Sequence, residues 1–424
     1  MNQSIAVETL DLARWIRPGD GIVWGQACGE PTTLTEALVA QRADLGGVSA
    51  FVGSAFSETL APDHADHIAF SSMGAIGTLA RLAAAGVLDV IPTHVGQIGA
   101  HLKSGAIRCD VALAQLSPPG PDGRHSLGLI GDYVGAMIDT ARIVIGEVND
   151  QIPWIAGDRM VSPSELDVFV ETSRPPISVA SGEPNETEQA IAAHASAYIE
   201  DGAVLQMGIG AVPEAIARLL GDRRRLGVHS GMIGDGIGEL MRSGAVDNSM
   251  KPSDCGVTIT GALIGSPDLY AFADRNPAFG LRSSDTTHGE AVLAAIPNLV
   301  SVNSAIEVDL TGQINAEQTG ARYLGATGGQ VDYVRAGARS SGGRAIIALP
   351  ATAKGGSASR IVLSLSGPVT TARTEADLIV TEYGAAELKG QGVRERVRRM
   401  IAIAAPSFRE ELERGAHAML KRGF

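Results

Sequence analysis

The sequence predicts an α/β protein made of two related domains, each with a mainly parallel sheet. Short apolar runs recur along the chain, each ends in glycine, and residues with helical apolar spacing follow each one. A chain of 424 residues is too long for one ordinary core. A polar, proline-rich passage at residues 172–186 has the composition of an interdomain linker. We therefore expect an N-terminal domain over residues 1–180 and a C-terminal domain over residues 181–424.

The first half predicts a series of strand, turn and helix units. A short helix at residues 10–16 precedes the first strand, which runs into Gly25-Gln26-Ala27-Cys28-Gly29-Glu30 before the next helix begins. The second strand has Ser57 and Glu58 at its carboxyl end, which is where α/β domains place active groups. The strands predicted in this half are residues 22–24, 48–56, 87–91, 111–116 and 141–148.

The second half repeats the alternation after a helix at residues 188–201. Its further strands are predicted at residues 255–259, 299–302, 345–348 and 378–381, and its further helices at residues 289–295 and 391–404. Since both halves consist of the same units, two domains of related design follow.

The stretch from residue 206 to residue 246 is the most regular part of the second half. Its first apolar run ends in Gly208-Ile209-Gly210 and its next in His229-Ser230-Gly231, with a helical pattern after each. Such turns bring backbone N–H groups to the carboxyl end of a strand, where an anion or an oxyanion can be held. By itself the pattern is more often a plain strand-to-helix turn, and GIGAVP lacks the full GxGxxG fingerprint.

Composition excludes several classes of protein. The net charge of −13 repels nucleic acid and acidic membranes, so no nucleic-acid or membrane partner is expected. The three cysteines are far apart and form no CxxC, which argues against a disulfide framework and against a zinc site, and we expect no bound metal. The N-terminal residues have no apolar signal core, which predicts a cytoplasmic location.

Several blocks of the sequence resemble the acetyl-CoA hydrolase/transferase family, which includes 4-hydroxybutyrate and acetate CoA-transferases. The blocks follow the family's order and are VALAQLSPPGPDGRHSLG, GIGAVP, LGVHSGMIGDG, VNSAIEVDLTGQINAE, GATGGQVDYVRAGARSSGGRAIIALPATAKGG and VTEYGAAELKG. The resemblance implies two α/β domains facing each other across a cleft, coenzyme A bound mostly by the C-terminal one, and a homodimer. Acyl-CoA and small carboxylic acids are then substrates, and no permanently bound cofactor is expected.

The resemblance also assigns residues to the ligand. The turn would lie along the pantetheine and supply oxyanion donors, and Gly328 and Gly329 would let the backbone approach the same ligand. Lys354 would meet a phosphate, although an ordinary solvated lysine is the alternative. Arg335, Arg339 and Arg344 are candidates for the 3′-phosphate, with surface salt bridges as the alternative. The turn residues assigned in this way are Gly208, Ile209, Gly210, Ala211 and Val212.

One departure from the family pattern decides where the chemistry is expected. The nucleophilic glutamate of these transferases follows a His-Thr pair, but here Gly231 takes its place after His229-Ser230. Three other acids are candidates. Glu58 is our prediction, because a side chain there could enter the space left by Gly231 and because an itaconate-type subgroup of the family resembles this pattern. A plain acid at a helix N-terminus is the alternative reading of Glu58.

The other two acids have structural interpretations that we favour. Glu30 lies at a helix start, where a carboxylate complements the helix N-terminus. Glu307 accompanies the usual nucleophile in the family, so a hydrogen-bonding role is expected for it. The leading hypothesis is therefore a CoA-transferase that works through a glutamyl-CoA thioester on Glu58. A thioester hydrolase and a catalytically inactive CoA-binding protein are the rival hypotheses.

Overall fold

The computed structural model describes residues 3–180 and 182–421, which form two compact units. Unit 1 consists of residues 1–180, 257–289 and 322–328, and unit 2 of residues 181–256, 290–321 and 329–424. Unit 1 thus takes in two later segments that lie outside the contiguous range 1–180 predicted from the sequence. Ser181, at the predicted boundary, lies outside the described residues.

The strands are short and recur along the whole described chain. In chain order they are β1 Gln3–Ile5, β2 Gly21–Trp24, β3 Val48–Phe51, β4 Ile68–Ser72, β5 Leu88–Val90, β6 Val111–Leu116, β7 His125–Ser126, β8 Ile143–Asn149, β9 Met160–Val161, β10 Val168–Thr172, β11 Val204–Met207, β12 Gly227–Ser230, β13 Thr258–Thr260, β14 Phe279–Leu281, β15 Leu299–Asn303, β16 Glu307–Asp309, β17 Ile314–Asn315, β18 Gln318–Thr319, β19 Arg322–Tyr323, β20 Arg344–Ala348, β21 Thr352–Ala353, β22 Ala358–Ser359, β23 Ile361–Val362, β24 Leu378–Thr381 and β25 Gly384–Glu387.

The helices alternate with these strands. In chain order they are α1 Thr32–Gln41, α2 Leu79–Ala84, α3 Val95–Ser104, α4 Val134–Thr140, α5 Glu186–Ser196, α6 Ala211–Leu219, α7 Asp235–Arg242, α8 Pro267–Ala273, α9 Ser284–Thr287, α10 Glu290–Ala294, α11 Gln330–Arg339, α12 Val393–Ala402 and α13 Pro406–Lys421.

Unit 1 is built on a parallel sheet with the strand order β1-β10-β8-β6-β2-β3-β4-β5. All six residues of β6 are buried, because helices and loops cover both faces of a parallel sheet. The chain runs from β2 outward to β5 and then returns to β6 on the other side of β2. This reversal makes a topological switch point at the carboxyl ends of β2 and β6, where ligands usually bind in open α/β sheets.

Unit 2 repeats the design with the neighbouring strands β12-β11-β15-β20-β24-β25. All these pairings are parallel except that of β24 with β25. The chain passes from β11 to β12 on one side and then to β15 on the other side of β11. The switch point of unit 2 therefore lies at the carboxyl ends of β11 and β15. The sequence prediction of two α/β units with mainly parallel sheets is confirmed.

Several predicted elements differ from the structure, and three of them illustrate how. Residues 10–16 contain only a 3-10 turn at Leu12–Arg14. The strand predicted at residues 48–56 ends at Phe51, because the Gly53 amide donates to the Tyr133 hydroxyl at 3.0 Å instead of to a neighbouring strand. The helix predicted from residue 188 begins at Glu186, because the Asn185 side chain accepts from the Glu188 amide at 3.1 Å.

Candidate active site

Glu30 lies at the switch point of unit 1, just before helix α1. Its backbone carbonyl accepts a hydrogen bond of 2.8 Å from the Gln115 side chain on β6. Its carboxylate accepts from the Ser57 hydroxyl at 2.6 Å and from the Thr35 hydroxyl at 2.7 Å. The segments that follow β2 and β3 are thereby joined to β6 at one edge of the sheet.

Burial governs the ionisation of Glu30. The residue is 1% exposed, and burial raises the pKa of its carboxyl above the ordinary value, while hydrogen bonds from Ser57, Thr35 and Thr59 act in the opposite direction. Hydroxyl donors stabilise the charged form, and the surrounding protein penalises it. The expectation that Glu30 simply complements a helix N-terminus therefore describes only part of its environment.

Glu58 lies beside this cluster but points away from it. Its side chain is 77% exposed and pairs with Arg81, with 2.5 Å between the carboxylate Oε2 and the guanidinium Nη1. Arg81, on helix α2, is itself about half exposed, so the pair is a surface ion pair that can open at low free-energy cost. A carboxylate in this setting is available to a substrate, which a buried one is not.

Cys28 precedes Glu30 in the same loop and is fully buried. Burial raises the pKa of its thiol to about 11, so the reactive thiolate is scarce at neutral pH. Gly328, at the end of the last segment of unit 1, has a φ of +57° and accepts from the Val95 amide at 3.0 Å. Its role in the structure is therefore to dock a left-handed turn against the start of helix α3.

The glycine turn of unit 2 has the geometry of a backbone binding site. Residues 208–212 are half-buried and connect β11 to helix α6, and Gly210 has a φ of +115°, which L side chains rarely adopt. A Cβ atom added at Gly208 or at Gly210 would meet no other atom within 4 Å. The turn therefore leaves open space where backbone groups can approach a ligand.

The next strand brings the place of the missing nucleophile to this turn. The Ser230 hydroxyl at the end of β12 lies 3.4 Å from the Met207 amide of β11, 3.2 Å from the Met207 carbonyl and 2.6 Å from the Met232 carbonyl. Two strand ends thus open at one edge, as the sequence predicts. The residue that follows Ser230 is Gly231, which brings no carboxylate to that edge.

Glu307 is buried in a small sheet formed by β17, β16 and β23 of unit 2. One carboxylate oxygen accepts from the Asn315 side chain at 2.9 Å and from both the amide and the hydroxyl of Ser366, at 2.5 and 3.0 Å. Glu307 therefore links three segments of unit 2 through hydrogen bonds, which is the structural role that the sequence analysis favours for it.

The remaining predicted ligand residues lie in unit 2 as well. Lys354 is exposed at the tip of the hairpin between β21 and β22, with a φ of +52°, and Gly329 precedes the first residue of helix α11. The three candidate arginines each form ion pairs with acids of unit 2. These pairs are Arg335 with Glu375, Arg339 with Glu290, and Arg344 with Asp377 and Glu387.

Sequence reasoning missed one further acid beside the glycine turn. Glu214, in the first turn of α6, is 7% exposed and accepts a hydrogen bond from the Gly236 amide of α7. Burial, together with Asp235 and Glu239, raises the pKa of this carboxyl to about 7. Glu214 carries no recognisable motif, and only the packing of α6 against α7 shows its position.

The two edges differ in what they offer to a reaction. Unit 1 presents an exposed carboxylate beside a cluster of hydrogen-bonded hydroxyls, and unit 2 presents open backbone at a helix start. A carboxylate nucleophile and a set of backbone donors are the groups that acyl transfer from a thioester requires.

Comparison with known proteins agrees with this architecture. The N-terminal domain of the acetyl-CoA hydrolase/transferase family matches residues 6–181, and the C-terminal domain matches residues 265–416. The 4-hydroxybutyrate coenzyme A transferase of Clostridium kluyveri is 37% identical over 395 residues, which is 92% of each chain.

Solved structures show the same relationship. RipA from Yersinia pestis is 31% identical, covers 96% of each chain and superposes with a TM-score of 0.91. The 4-hydroxybutyrate CoA-transferase from Porphyromonas gingivalis is 31% identical, covers 100% of this chain and 98% of that one, and gives a TM-score of 0.84. By these matches the chain belongs to the acetyl-CoA hydrolase/transferase family.

Proposed function

We propose that this CoA-transferase moves CoA between short-chain carboxylic acids through a glutamyl-CoA thioester on Glu58. The observation that carries the proposal is the contrast among the three candidate acids. The Glu58 side chain is 77% exposed, whereas Glu30 and Glu307 are buried and hydrogen-bonded to protein hydroxyl and amide groups. A nucleophile has to reach the thioester carbonyl, and Glu58 is the acid of the three that is free to do so.

The reaction proceeds in steps that need no redox change. A Glu58 oxygen attacks the acyl-CoA carbonyl, the CoA thiolate leaves, and an acyl-glutamyl anhydride forms. The thiolate then attacks the glutamyl carbonyl, which releases the first carboxylic acid and leaves CoA on Glu58 as a thioester. The acceptor carboxylate repeats these two steps in reverse order and leaves as the new acyl-CoA.

The glycine turn of unit 2 is assigned the oxyanion and the pantetheine in this scheme. Each tetrahedral intermediate carries a negative oxygen, and backbone N–H groups held in place before the reaction stabilise such an oxygen in the transition state. The open space at Gly208 and Gly210 supports this assignment, because a ligand can lie against the backbone there. Lys354, exposed and placed between Ala353 and Gly355, is assigned to a phosphate of CoA.

The similar proteins and the family pattern support a choice of acids to test. We propose 4-hydroxybutyrate, the acid named for two similar proteins, and small dicarboxylates such as itaconate as acceptors. Four thioesters test this range, namely acetyl-CoA, 4-hydroxybutyryl-CoA, succinyl-CoA and itaconyl-CoA. Each is assayed with and without an acceptor acid, so that transfer is separated from hydrolysis.

The first test of the mechanism is to trap the thioester. Borohydride reduces a glutamyl thioester, and trypsin then releases residues 43–81 as one peptide, in which Glu58 is the sole glutamate. We expect the label on this peptide, and we expect Glu58→Gln to lose both the label and nearly all transfer, while Glu307→Gln keeps the label. A label on another peptide, or full transfer by Glu58→Gln, would refute the assignment. CoA release that needs no acceptor would favour the hydrolase instead.

A further inference from the structure

We propose that Glu30 is a positioning residue, which holds the segment around Glu58 in place by binding the hydroxyl groups on both sides of it. This inference rests on the proposed function, because it takes Glu58 as the nucleophile. Glu30 itself touches no substrate in this scheme. Its buried carboxylate acts through Ser57 and Thr59, the two residues adjacent to Glu58.

The contacts show how the segment is held. The Ser57 hydroxyl donates to Glu30 Oε2 at 2.6 Å, and the Thr59 amide lies 3.3 Å from the Ser57 hydroxyl oxygen. The Thr59 side chain also hydrogen-bonds to the Glu30 carboxylate. The two neighbours of Glu58 are thus both fixed to one buried acid, while the Glu58 side chain remains in solvent.

Glu30 is itself fixed more firmly than the segment it binds. Its other carboxylate oxygen accepts from the Thr35 hydroxyl on α1 at 2.7 Å, and its backbone carbonyl accepts from Gln115 on β6 at 2.8 Å. The residue is 1% exposed, so water does not compete for these bonds. The parallel sheet and helix α1 therefore transmit a defined position to the segment from Ser57 to Thr59.

This arrangement matters because attack on a thioester depends on distance and direction. A displacement of about 1 Å in a reacting group costs about 10²-fold in rate. A carboxylate is needed to fix this segment, because it can accept hydrogen bonds from two hydroxyl groups at once. A charged acceptor also makes stronger hydrogen bonds than a neutral one. The Glu30→Gln substitution keeps the shape of the side chain but removes its charge and one of its two acceptor oxygens.

The chain offers a matched control in Glu147. This acid is also buried, and it accepts from the Thr33 amide and hydroxyl of α1 at 2.9 and 2.8 Å and from the Thr172 hydroxyl at 3.1 Å. Burial raises the pKa of the Glu147 carboxyl, as it does for Glu30. These hydrogen-bond partners are residues of α1 and β10, outside the segment from Ser57 to Thr59.

The experiment measures the first covalent step directly. Single-turnover labelling of Glu58 is followed by rapid quench and mass spectrometry, with whichever of the four thioesters named above labels the unmodified enzyme fastest. We expect Glu30→Gln to label about 10²-fold more slowly, with the Kd for CoA changed less than about twofold by calorimetry. Ser57→Ala, which removes one of the bonds, should label about tenfold more slowly, and Glu147→Gln should stay within about threefold of the unmodified enzyme.

Each outcome decides the proposal. An unchanged labelling rate in folded Glu30→Gln, or the same loss in Glu147→Gln, would overturn it, because the effect would then be absent or would reflect general damage to α1. If Glu30→Gln fails to fold, the labelling rate of Ser57→Ala decides alone. A Ser57→Ala rate equal to that of the unmodified enzyme then overturns the proposal. A label on the peptide that contains Glu30, residues 15–42, would overturn both this inference and the proposed function. Normal labelling by Glu30→Gln together with none by Glu58→Gln would overturn this inference only.

Discussion

The two switch points of the molecule have the same topology, but side chains fill one and the other is open. In unit 1, the edge at β2 and β6 is filled by side chains, and Glu30 is hydrogen-bonded to residues of helix α1, strand β6 and the segment after β3. In unit 2, the edge at β11 and β15 is kept open by Gly208 and Gly210, where an added Cβ atom would meet nothing within 4 Å. The same strand arrangement thus carries packed side chains at its edge in one unit and open backbone at its edge in the other.

The difference indicates a division of labour in the chemistry. Backbone N–H groups at an open turn can bind the oxyanion of any substrate. They do not depend on a particular side chain, because every residue except proline carries the same N–H group. A nucleophile has to be one particular side chain, held by others. Mutations at the unit 2 edge should therefore affect ligand approach and stabilisation of the oxyanion, and those at the unit 1 edge should affect the nucleophile.

Filling the open turn should give the largest effect. Gly208→Val adds a side chain where none is present, and Gly208 has no left-handed φ, so the fold should tolerate it. We expect transfer to fall about 10²–10³-fold, the scale of a lost oxyanion donor. Gly210→Val is less informative, because a φ of +115° would strain any β-branched residue.

The control for this change is a glycine elsewhere in the chain that also has open space for a side chain and no left-handed φ. Gly392 precedes helix α12, has no left-handed φ, and would also accept a Cβ atom without a contact within 4 Å. Gly392→Val should retain transfer close to that of the unmodified enzyme. If Gly208→Val does so too while remaining folded, the turn in unit 2 is architecture and not a binding site.

The buried acid beside the unit 2 edge should make the stability of the protein depend on pH. Glu214, in unit 2, has a carboxyl pKa of about 7 in the folded protein, against an ordinary value of 4.5. The folded state therefore binds more protons than the unfolded state between these values, and stability falls as pH rises through that window. Full ionisation above pH 7 costs at most about 3 kcal/mol of the unfolding free energy.

Glu214→Gln removes this cost, so we expect the variant to exceed the unmodified protein in stability at pH 8 and to lose the advantage near pH 4. Urea unfolding across this range measures the difference. Glu411→Gln, at an exposed position of α13, is the control and should change little at any pH. A parallel pH dependence in Glu214→Gln and the unmodified protein would show that this acid is not the group that titrates.

Lys354 tests whether the open edge continues into a phosphate site. Lys354→Ala should weaken CoA binding by about 1–3 kcal/mol, the scale of a charge-assisted hydrogen bond. Calorimetry with CoA and with dephospho-CoA separates the phosphates, because dephospho-CoA lacks the 3′-phosphate. Lys421→Ala, at the end of α13, is the control for the loss of one exposed positive charge. If CoA and dephospho-CoA each bind Lys354→Ala as tightly as they bind the unmodified enzyme, this lysine does not belong to the site.

Much of the fold is visible in the sequence because its signals are local. Apolar runs, glycine turns and helical spacing predicted β6 at its observed bounds, and they predicted a strand before Gly208 and a helix after Gly210, where β11 and α6 lie. The order of the strands is not local, since it depends on how distant segments pack. The two switch points, which place the glycine turn and Glu30 at ligand-binding edges, could therefore not be read from the chain.

The candidate site shows the same limit for single residues. Glu58 could be chosen as an acid that follows a buried strand, although that strand ends at Phe51. An acid before a proline at a helix start has the same pattern whether it is exposed or buried, so the burial of Glu30 was not predictable. Its partners Ser57 and Gln115 are far from it in sequence, and only the parallel sheet brings them together.

The smallest expected effect is at the exposed end of the unit 1 edge. Arg81 pairs with Glu58, and both side chains are largely in solvent, so the pair should contribute no more than about 1 kcal/mol to stability. The pair has to open before Glu58 can attack a thioester. Arg81→Ala should therefore label Glu58 at most about fivefold faster than the unmodified enzyme, which is the rate equivalent of that free energy.

Added salt should speed labelling of the unmodified enzyme toward the variant's rate, because salt screens exposed pairs. A roughly tenfold slower rate in Arg81→Ala would instead mean that Arg81 orients the carboxylate, and the unit 1 edge would then hold its nucleophile from both the buried and the exposed side.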